Sequence, residues 1–179
     1  MSETNKKLNK EEVEVVVKKM VGFMNIECQI ETREELADPV REKFSNRADS
    51  HGEGVIVVSI QTFDDARFLI GKNGQNLQAM EHVLRAMLIK PASSYGGDSK
   101  EGAIILDVND YKKSRANYLI DVAKQTVARV RNTQKAEALF PMSAYERRIV
   151  HMELAACPDI VTESIGAEPQ RRVIVKPFP

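Results

Sequence analysis

Two short patterns in this sequence hold residue types that suit contact with phosphate. The first is Gly71-Lys72-Asn73-Gly74, which separates an apolar run ending at Ile70 from a second run that starts at Leu77. Glycine at both corners lets the backbone take a positive φ and lets another backbone approach closely. A helix that starts after this turn points its first N–H groups outward, where they attract an anion, and Lys72 adds a mobile cation. An ordinary turn between two helices also explains the glycines, so the flanking elements must decide.

The second pattern is Arg147 and His151, whose spacing of four residues places both side chains on one face of a helix. A guanidinium binds phosphate through paired hydrogen bonds, and an imidazole donates to phosphate or stacks on a base. The plainer interpretation is an exposed arginine beside a histidine that local structure satisfies, since this spacing is common by chance. Ser143 and Glu146 form a capping-box pattern, which predicts that a helix starts there.

Charge is balanced over the chain but uneven along it. The 179 residues include 26 Lys and Arg against 26 Asp and Glu. Residues 1–108 hold 14 basic and 18 acidic side chains, whereas residues 109–179 hold 12 and 8. A basic second half favours contact with phosphates, although so small an excess also fits a solvated surface.

Several classes of protein find no support in the sequence. Cys28 and Cys157 are single and far apart, which fits neither a zinc site nor a disulfide framework. The polar N-terminus lacks the apolar core of a signal peptide, and no apolar run approaches the length of a membrane span. The three histidines lie in separate predicted elements, and no catalytic motif accompanies them. We therefore expect a cytoplasmic protein that is not an enzyme, with no metal, no cofactor and no membrane insertion.

Hydrophobic periodicity predicts a first region of helices and strands at residues 9–108, after a flexible segment at 1–8. The predicted helices cover 10–24, 63–70 and 77–88, and the predicted strands cover 26–31, 54–60 and 103–108. Thr62 is predicted to cap the second helix, whose buried side would include Phe63 and Ile70. Residues 33–53 and 92–101 are predicted loops, the first with a helical turn near 39–44.

A second region is predicted at residues 109–179. It begins with a long connecting helix at about 110–133, capped by Asn109 or Asp110. A short strand at 136–140 precedes the helix that starts after Ser143, and two strands at 161–166 and 171–175 follow it.

These motifs and their order resemble two known domains. Residues 9–108 resemble a type II KH domain of the order αββααβ, with the Gly-x-x-Gly loop between its paired helices. Residues 141–151, 162–169 and 171–175 resemble the domain named for its Arg, three residues and His. The two motifs in this order, with residues 106–108, Tyr111 and Arg115 at the joint, resemble the Jag family of bacterial single-stranded nucleic-acid-binding proteins.

The resemblance implies an α+β chain: a type II KH domain with a mixed three-stranded sheet, joined by the long helix to a small α/β Arg-x-x-x-His domain. It implies binding of single-stranded RNA, with single-stranded DNA left open, and a groove floored by Ile60, Leu69 and Ile70. The residues expected to contact RNA are Ile70, Gly71, Lys72, Asn73, Gly74, Arg147, Arg148, His151, Arg171 and Arg172.

The family also implies a role in cell elongation or division and a small KH-domain protein as partner. Many members carry a further N-terminal Jag domain, whereas this sequence starts close to the KH-like region, so we expect no role that depends on that domain. Balanced charge and few aromatic residues leave one alternative open, a protein–protein adaptor that binds nucleic acid only incidentally.

Overall fold

The computed structural model describes residues 9–36, 54–88 and 103–178. They divide into two compact units, of which unit 1 ends at Tyr111 and unit 2 begins at Lys112. Each unit contains one three-stranded sheet, so the α+β class expected from the sequence is confirmed. Among the described helices, none is both long and apolar enough to cross a bilayer.

Unit 1 has the element order helix, strand, strand, helix, helix, strand. Its helices are α1 (Lys10–Phe23), α2 (Ala66–Ile70) and α3 (Gln75–Leu88), with a 3-10 turn at Lys72–Gly74 between the last two. Its strands are β1 (Gln29–Leu36), β2 (Gly54–Gln61) and β3 (Ala103–Val108). The sheet is mixed, because β2 pairs antiparallel with β1 and parallel with β3.

The core of unit 1 explains why these segments take these forms. Val13, Val17 and Val21 recur every four residues and bury one face of α1, which Asn9 caps by accepting a hydrogen bond from the Glu11 N–H. They pack in one cluster with buried residues of β2, β3 and the paired helices. Each fully buried aliphatic side chain contributes about 1.5–3 kcal/mol to the free energy of unfolding.

Unit 2 is a helix–sheet layer built from later parts of the chain. Its elements are α4 (Tyr111–Thr133), β4 (Glu137–Ala138), α5 (Ala144–Leu154), β5 (Ile160–Ile165) and β6 (Arg172–Pro177). β6 lies between β4 and β5 and pairs antiparallel with both. One face of α4 packs with α5 and the sheet around a second apolar cluster, which includes Leu119, Val150 and Val173.

Two predicted strand boundaries are wrong. β1 starts at Gln29 and extends to Leu36, although residues 33–36 are mostly polar, because Arg33 pairs with Val57 and Leu36 pairs with Gly54 across the sheet. β4 is limited to two residues, where five had been expected. The predicted segment 1–8, the loop at 92–101, and the rest of the 33–53 loop with its helical turn lie outside the described residues.

The capping predicted around α2 and α4 is also wrong. Helix α2 starts only at Ala66, and Phe63 is fully exposed instead of buried. The Thr62 N–H donates to Asn109 Oδ1 (3.0 Å) and the Asn109 amide donates back to the Thr62 carbonyl (2.7 Å). The Thr62 hydroxyl donates to the Glu27 carbonyl (3.0 Å). Both predicted capping residues are thus used to tie together the ends of strands.

Candidate nucleic-acid interface

The 71–74 loop joins α2 to α3 through a sharp reversal of the backbone. Gly71 has φ +68° and ψ −175°, Asn73 has φ +52°, and Gly74 has φ +77°. The Gly71 N–H donates to the Arg67 carbonyl (2.9 Å), which closes the last turn of α2. Three positive φ angles within four residues make this a backbone shape that few sequences without glycine can adopt.

Both glycines are required by their neighbours as well as by φ. A Cβ atom at Gly71 would lie 2.5 Å from Asn76 Cγ, and one at Gly74 would lie 2.9 Å from Tyr111 Cε1. The Asn76 side chain occupies that space because its amide donates to the Phe68 carbonyl (2.7 Å). The loop is therefore held by packing from the residues on each side of it.

The tip of the loop faces solvent. Lys72 and Asn73 are exposed, Gly74 is buried, and Ile70 is half-buried against the core. Ile60 and Leu69, which were predicted to floor a groove, are 0% and 1% exposed and belong wholly to the core. Of the three apolar residues expected to line a groove, only Ile70 reaches the surface.

Aromatic side chains near this loop were missed as surface features by the sequence analysis. Phe63 is fully exposed and Phe68 is 59% exposed, with Arg67 Cζ lying 5.1 Å from the centre of the Phe68 ring. Asp64 and Asp65 lie between them in sequence and add negative charge. The surface before the loop thus mixes apolar, basic and acidic groups.

Arg147 of unit 2 is buried, with 7% of its surface exposed. Its Nη1 donates to the Met142 carbonyl (2.6 Å) and its Nη2 donates to Glu168 Oε1 (2.7 Å). The capping box predicted for Ser143 and Glu146 is present and starts α5. Arg147 therefore braces the segment that enters α5 against the loop that precedes β6.

His151 contacts two hydroxyl groups of β5. Its Nδ1 lies 2.7 Å from Thr162 Oγ1 and its Nε2 lies 2.7 Å from Ser164 Oγ. Residues two apart in a strand point to the same face, so one ring spans both hydroxyls. Burial, and to a smaller extent the charge of Arg147, holds the pKa of His151 below its usual value of 6.5. A neutral imidazole can donate from one nitrogen and accept at the other, and hydroxyls satisfy both roles.

The other predicted arginines differ in exposure. Arg148 and Arg171 are exposed, and Arg172 is half-buried with its Nε donating to the Gln170 carbonyl (3.4 Å). The Arg171 carbonyl accepts from the Met142 N–H (3.2 Å), which joins it to the segment that Arg147 braces. Arg147 and His151 thus have partners inside unit 2, and contact between RNA and any of these residues stays a prediction.

A cluster of charged and aromatic side chains in unit 2 was not predicted. Arg115 Nε donates to Glu146 Oε1 (2.7 Å), and both side chains are largely buried. Arg115 Cζ lies 5.5 Å from the centre of the Tyr118 ring and 5.4 Å from that of Phe140. The spacing of Arg115 and Tyr118 on one helix was a usable signal, but no sequence pattern brings Phe140 to them. Across the described ranges, no three His, Cys, Asp or Glu residues come together as metal ligands.

Comparison with known proteins first identifies a domain class. Residues 117–177, which run from α4 to the last strand, match the family of Arg-x-x-x-His domains, named for an arginine and a histidine with three residues between them. The motif formed by Arg147 and His151 in α5 lies inside this match.

Curated relatives then narrow the class. Proteins named RNA-binding protein KhpB are 36% identical over 112 residues in Clostridium symbiosum, 34% over 107 in Lactiplantibacillus plantarum and 32% over 116 in Bacillus subtilis. These matches cover 63%, 60% and 64% of this chain, but 48%, 31% and 53% of the relatives. The chain thus spans about half or less of the length of these proteins. The predicted resemblance to the Jag family is confirmed, and the chain is Jag/KhpB-like.

Proposed function

We propose that this chain binds single-stranded RNA through two modules, a type II KH domain at residues 9–108 and an Arg-x-x-x-His domain within 109–179. The observation that carries the proposal is the 71–74 loop, whose exposed Lys72 and Asn73 stand between two glycines held at positive φ. The names of the relatives, RNA-binding protein KhpB, support the same function. So does the match to the Arg-x-x-x-His family, since that domain class binds nucleic acid.

In the first module, the sugar–phosphate backbone of about four nucleotides runs along the 71–74 loop. Gly71 and Gly74 allow close approach, Lys72 contacts a phosphate, and Asn73 hydrogen-bonds to phosphate or sugar. Ile70 offers the half-exposed apolar surface against which a base can rest. Each phosphate contacted on a single strand lowers the salt slope of log K by about 0.7.

In the second module, the exposed Arg148 and Arg171 and the half-buried Arg172 supply phosphate contacts. Arg147 and His151 contribute by fixing the segments that present these cations, and they reach RNA themselves only by exchanging their present partners. Two weak modules that engage one strand together gain about 10²–10⁴ in avidity. The family resemblance further supports a cytoplasmic regulatory role in cell elongation or division, with a small KH-domain protein as partner.

A protein–protein adaptor is the second candidate, and one observation favours it. Unit 1 exposes several large apolar side chains away from the 71–74 loop in sequence, among them Val15, Phe23, Val83 and Met87. Exposed apolar groups of this kind suit a protein partner better than they suit phosphate.

The test is fluorescence anisotropy with labelled single-stranded RNA, single-stranded DNA and duplex RNA at two salt concentrations. We expect the double variant Lys72→Asp/Asn73→Asp to bind RNA at least about tenfold more weakly, a loss of about 1.4 kcal/mol. The matched control is Lys19→Asp/Asn25→Asp, which makes the same change of charge at two exposed positions of unit 1 outside the loop. Equal losses in both double variants, or no salt-sensitive binding by the wild type, would contradict the proposal and favour the adaptor.

A further inference from the structure

Three side chains of unit 2 form an aromatic cluster with an open side. The rings of Tyr118 and Phe140 are 6.3 Å apart between centres and 28° from parallel, and the Arg115 guanidinium lies against both. Tyr118 is 51% exposed, whereas Phe140 and Arg115 are partly covered. We propose that Tyr118, backed by Phe140 and Arg115, is a platform on which a base of single-stranded RNA stacks. This inference rests on the proposed function and locates the base contact of the second module.

The guanidinium behind the platform is fixed in place. Glu146 Oε1 accepts from Arg115 Nε (2.7 Å), while Glu146 Oε2 accepts from the Ser143 N–H (2.8 Å) at the start of α5. Glu146 is itself buried, so this carboxylate has little freedom to move. A stacking surface that is already ordered loses little conformational entropy when it binds.

Phe140 is held equally firmly by the backbone around it. The Leu139 N–H donates to the Val173 carbonyl (2.9 Å), and the Met142 N–H donates to the Arg171 carbonyl (3.2 Å). Arg147 then donates to the Met142 carbonyl (2.6 Å) from the other side. The arginine of the Arg-x-x-x-His motif thus acts as a positioning residue for the segment that carries half of the platform.

The chemistry of the cluster favours a nucleic-acid base over an apolar protein segment. Every base has a π-face, so an exposed aromatic ring binds single strands without strict sequence preference. The cation against the rings favours a polyanion, and residues 109–179 carry 12 basic against 8 acidic side chains. Exposed Arg171 adjoins the Phe140 segment through its carbonyl and offers a phosphate contact beside the stacked base.

The experiment measures RNA affinity together with the fluorescence of 2-aminopurine placed in the RNA strand, which falls when the base stacks on an aromatic ring. We expect Tyr118→Leu to weaken binding about fivefold to hundredfold and to remove the quenching. Tyr118→Phe keeps the ring and should preserve both signals. Phe178→Leu is the matched control, because it removes another exposed ring of unit 2 at the end of the chain. A single-stranded DNA arm reports whether the platform distinguishes the sugar.

Two results would overturn the platform, and they are distinguishable. If Tyr118→Leu binds and quenches like the wild type while Lys72→Asp/Asn73→Asp loses affinity, RNA binding stands and the platform is wrong. If the wild type binds no single strand, the platform fails together with the proposed function. Circular dichroism of Tyr118→Leu and Tyr118→Phe verifies that both variants are folded.

Discussion

The 71–74 loop of unit 1 takes its shape from the backbone, whereas the surface around α5 in unit 2 takes its shape from side chains that bond to one another. In unit 1, two glycines at positive φ and one asparagine bridge define the reversal. In unit 2, Glu146 and Arg147 each have two partners, and those partners lie in other elements or segments. A backbone site is written in a few adjacent residues, but a side-chain network depends on residues that are distant in sequence.

This difference predicts how damage spreads in each unit. A substitution in the loop should disturb the loop and its immediate neighbours. Loss of one member of the network should leave several buried groups without partners at once, which costs more than the loss of one hydrogen bond.

The largest effect is expected for Glu146→Ala. It leaves Arg115 with an uncompensated charge in a largely buried position and uncaps α5, so we expect a loss of about 3 kcal/mol in the free energy of unfolding. The measurement is urea denaturation followed by circular dichroism. The control is Glu163→Ala, whose exposed pair with Lys176 should contribute less than about 1 kcal/mol. Similar losses in the two variants would mean that the network carries no special weight.

A smaller loss is expected for Gly71→Ala. The added Cβ meets the Asn76 side chain at 2.5 Å in a backbone region that is almost exclusive to glycine, so we expect destabilisation of about 1–3 kcal/mol. Gly22→Ala is the matched control: it lies in α1 with nothing within 4 Å of a new Cβ, and it should be neutral or stabilising by up to about 1 kcal/mol. A neutral Gly71→Ala in the same denaturation assay would show that the loop relaxes freely.

The smallest effect concerns pH and His151. Its pKa is lowered in the folded state, so below about pH 6.5 the unfolded chain takes up the proton first and is favoured. We expect the free energy of unfolding to decline as pH falls from about 7.5 through this value, by less than about 1.4 kcal/mol. His151→Gln should lack that part of the decline, whereas His82→Gln, at an exposed position of α3, should keep it. Parallel pH curves for the three proteins would contradict the assignment.

The sequence was most informative where neighbouring residues decide the structure. The apolar spacing of Val13, Val17 and Val21 predicted α1, the pair Ser143 and Glu146 predicted the start of α5, and the glycines predicted the reversal at 71–74. In each case the pattern and the physical cause lie within one or two turns of chain.

Prediction failed where a distant residue decides. Thr62 looked like a helix cap, but Asn109, 47 residues away, uses both its backbone groups. Residues 33–36 looked like a loop until their pairing with β2 was known. Arg147 looked exposed or ligand-facing on its own helix, yet Glu168 accepts from it 21 residues later. Such contacts follow from the tertiary fold and leave no local pattern.

The double use of Glu146 also bears on how such a surface evolves. One carboxylate receives the N–H that begins α5 and the guanidinium that backs Tyr118 and Phe140. A shorter or neutral side chain at this position cannot serve both donors, so drift here is restricted by two requirements at once. Helix initiation and the aromatic surface are thereby inherited as one character, and a lineage cannot readily lose one while keeping the other.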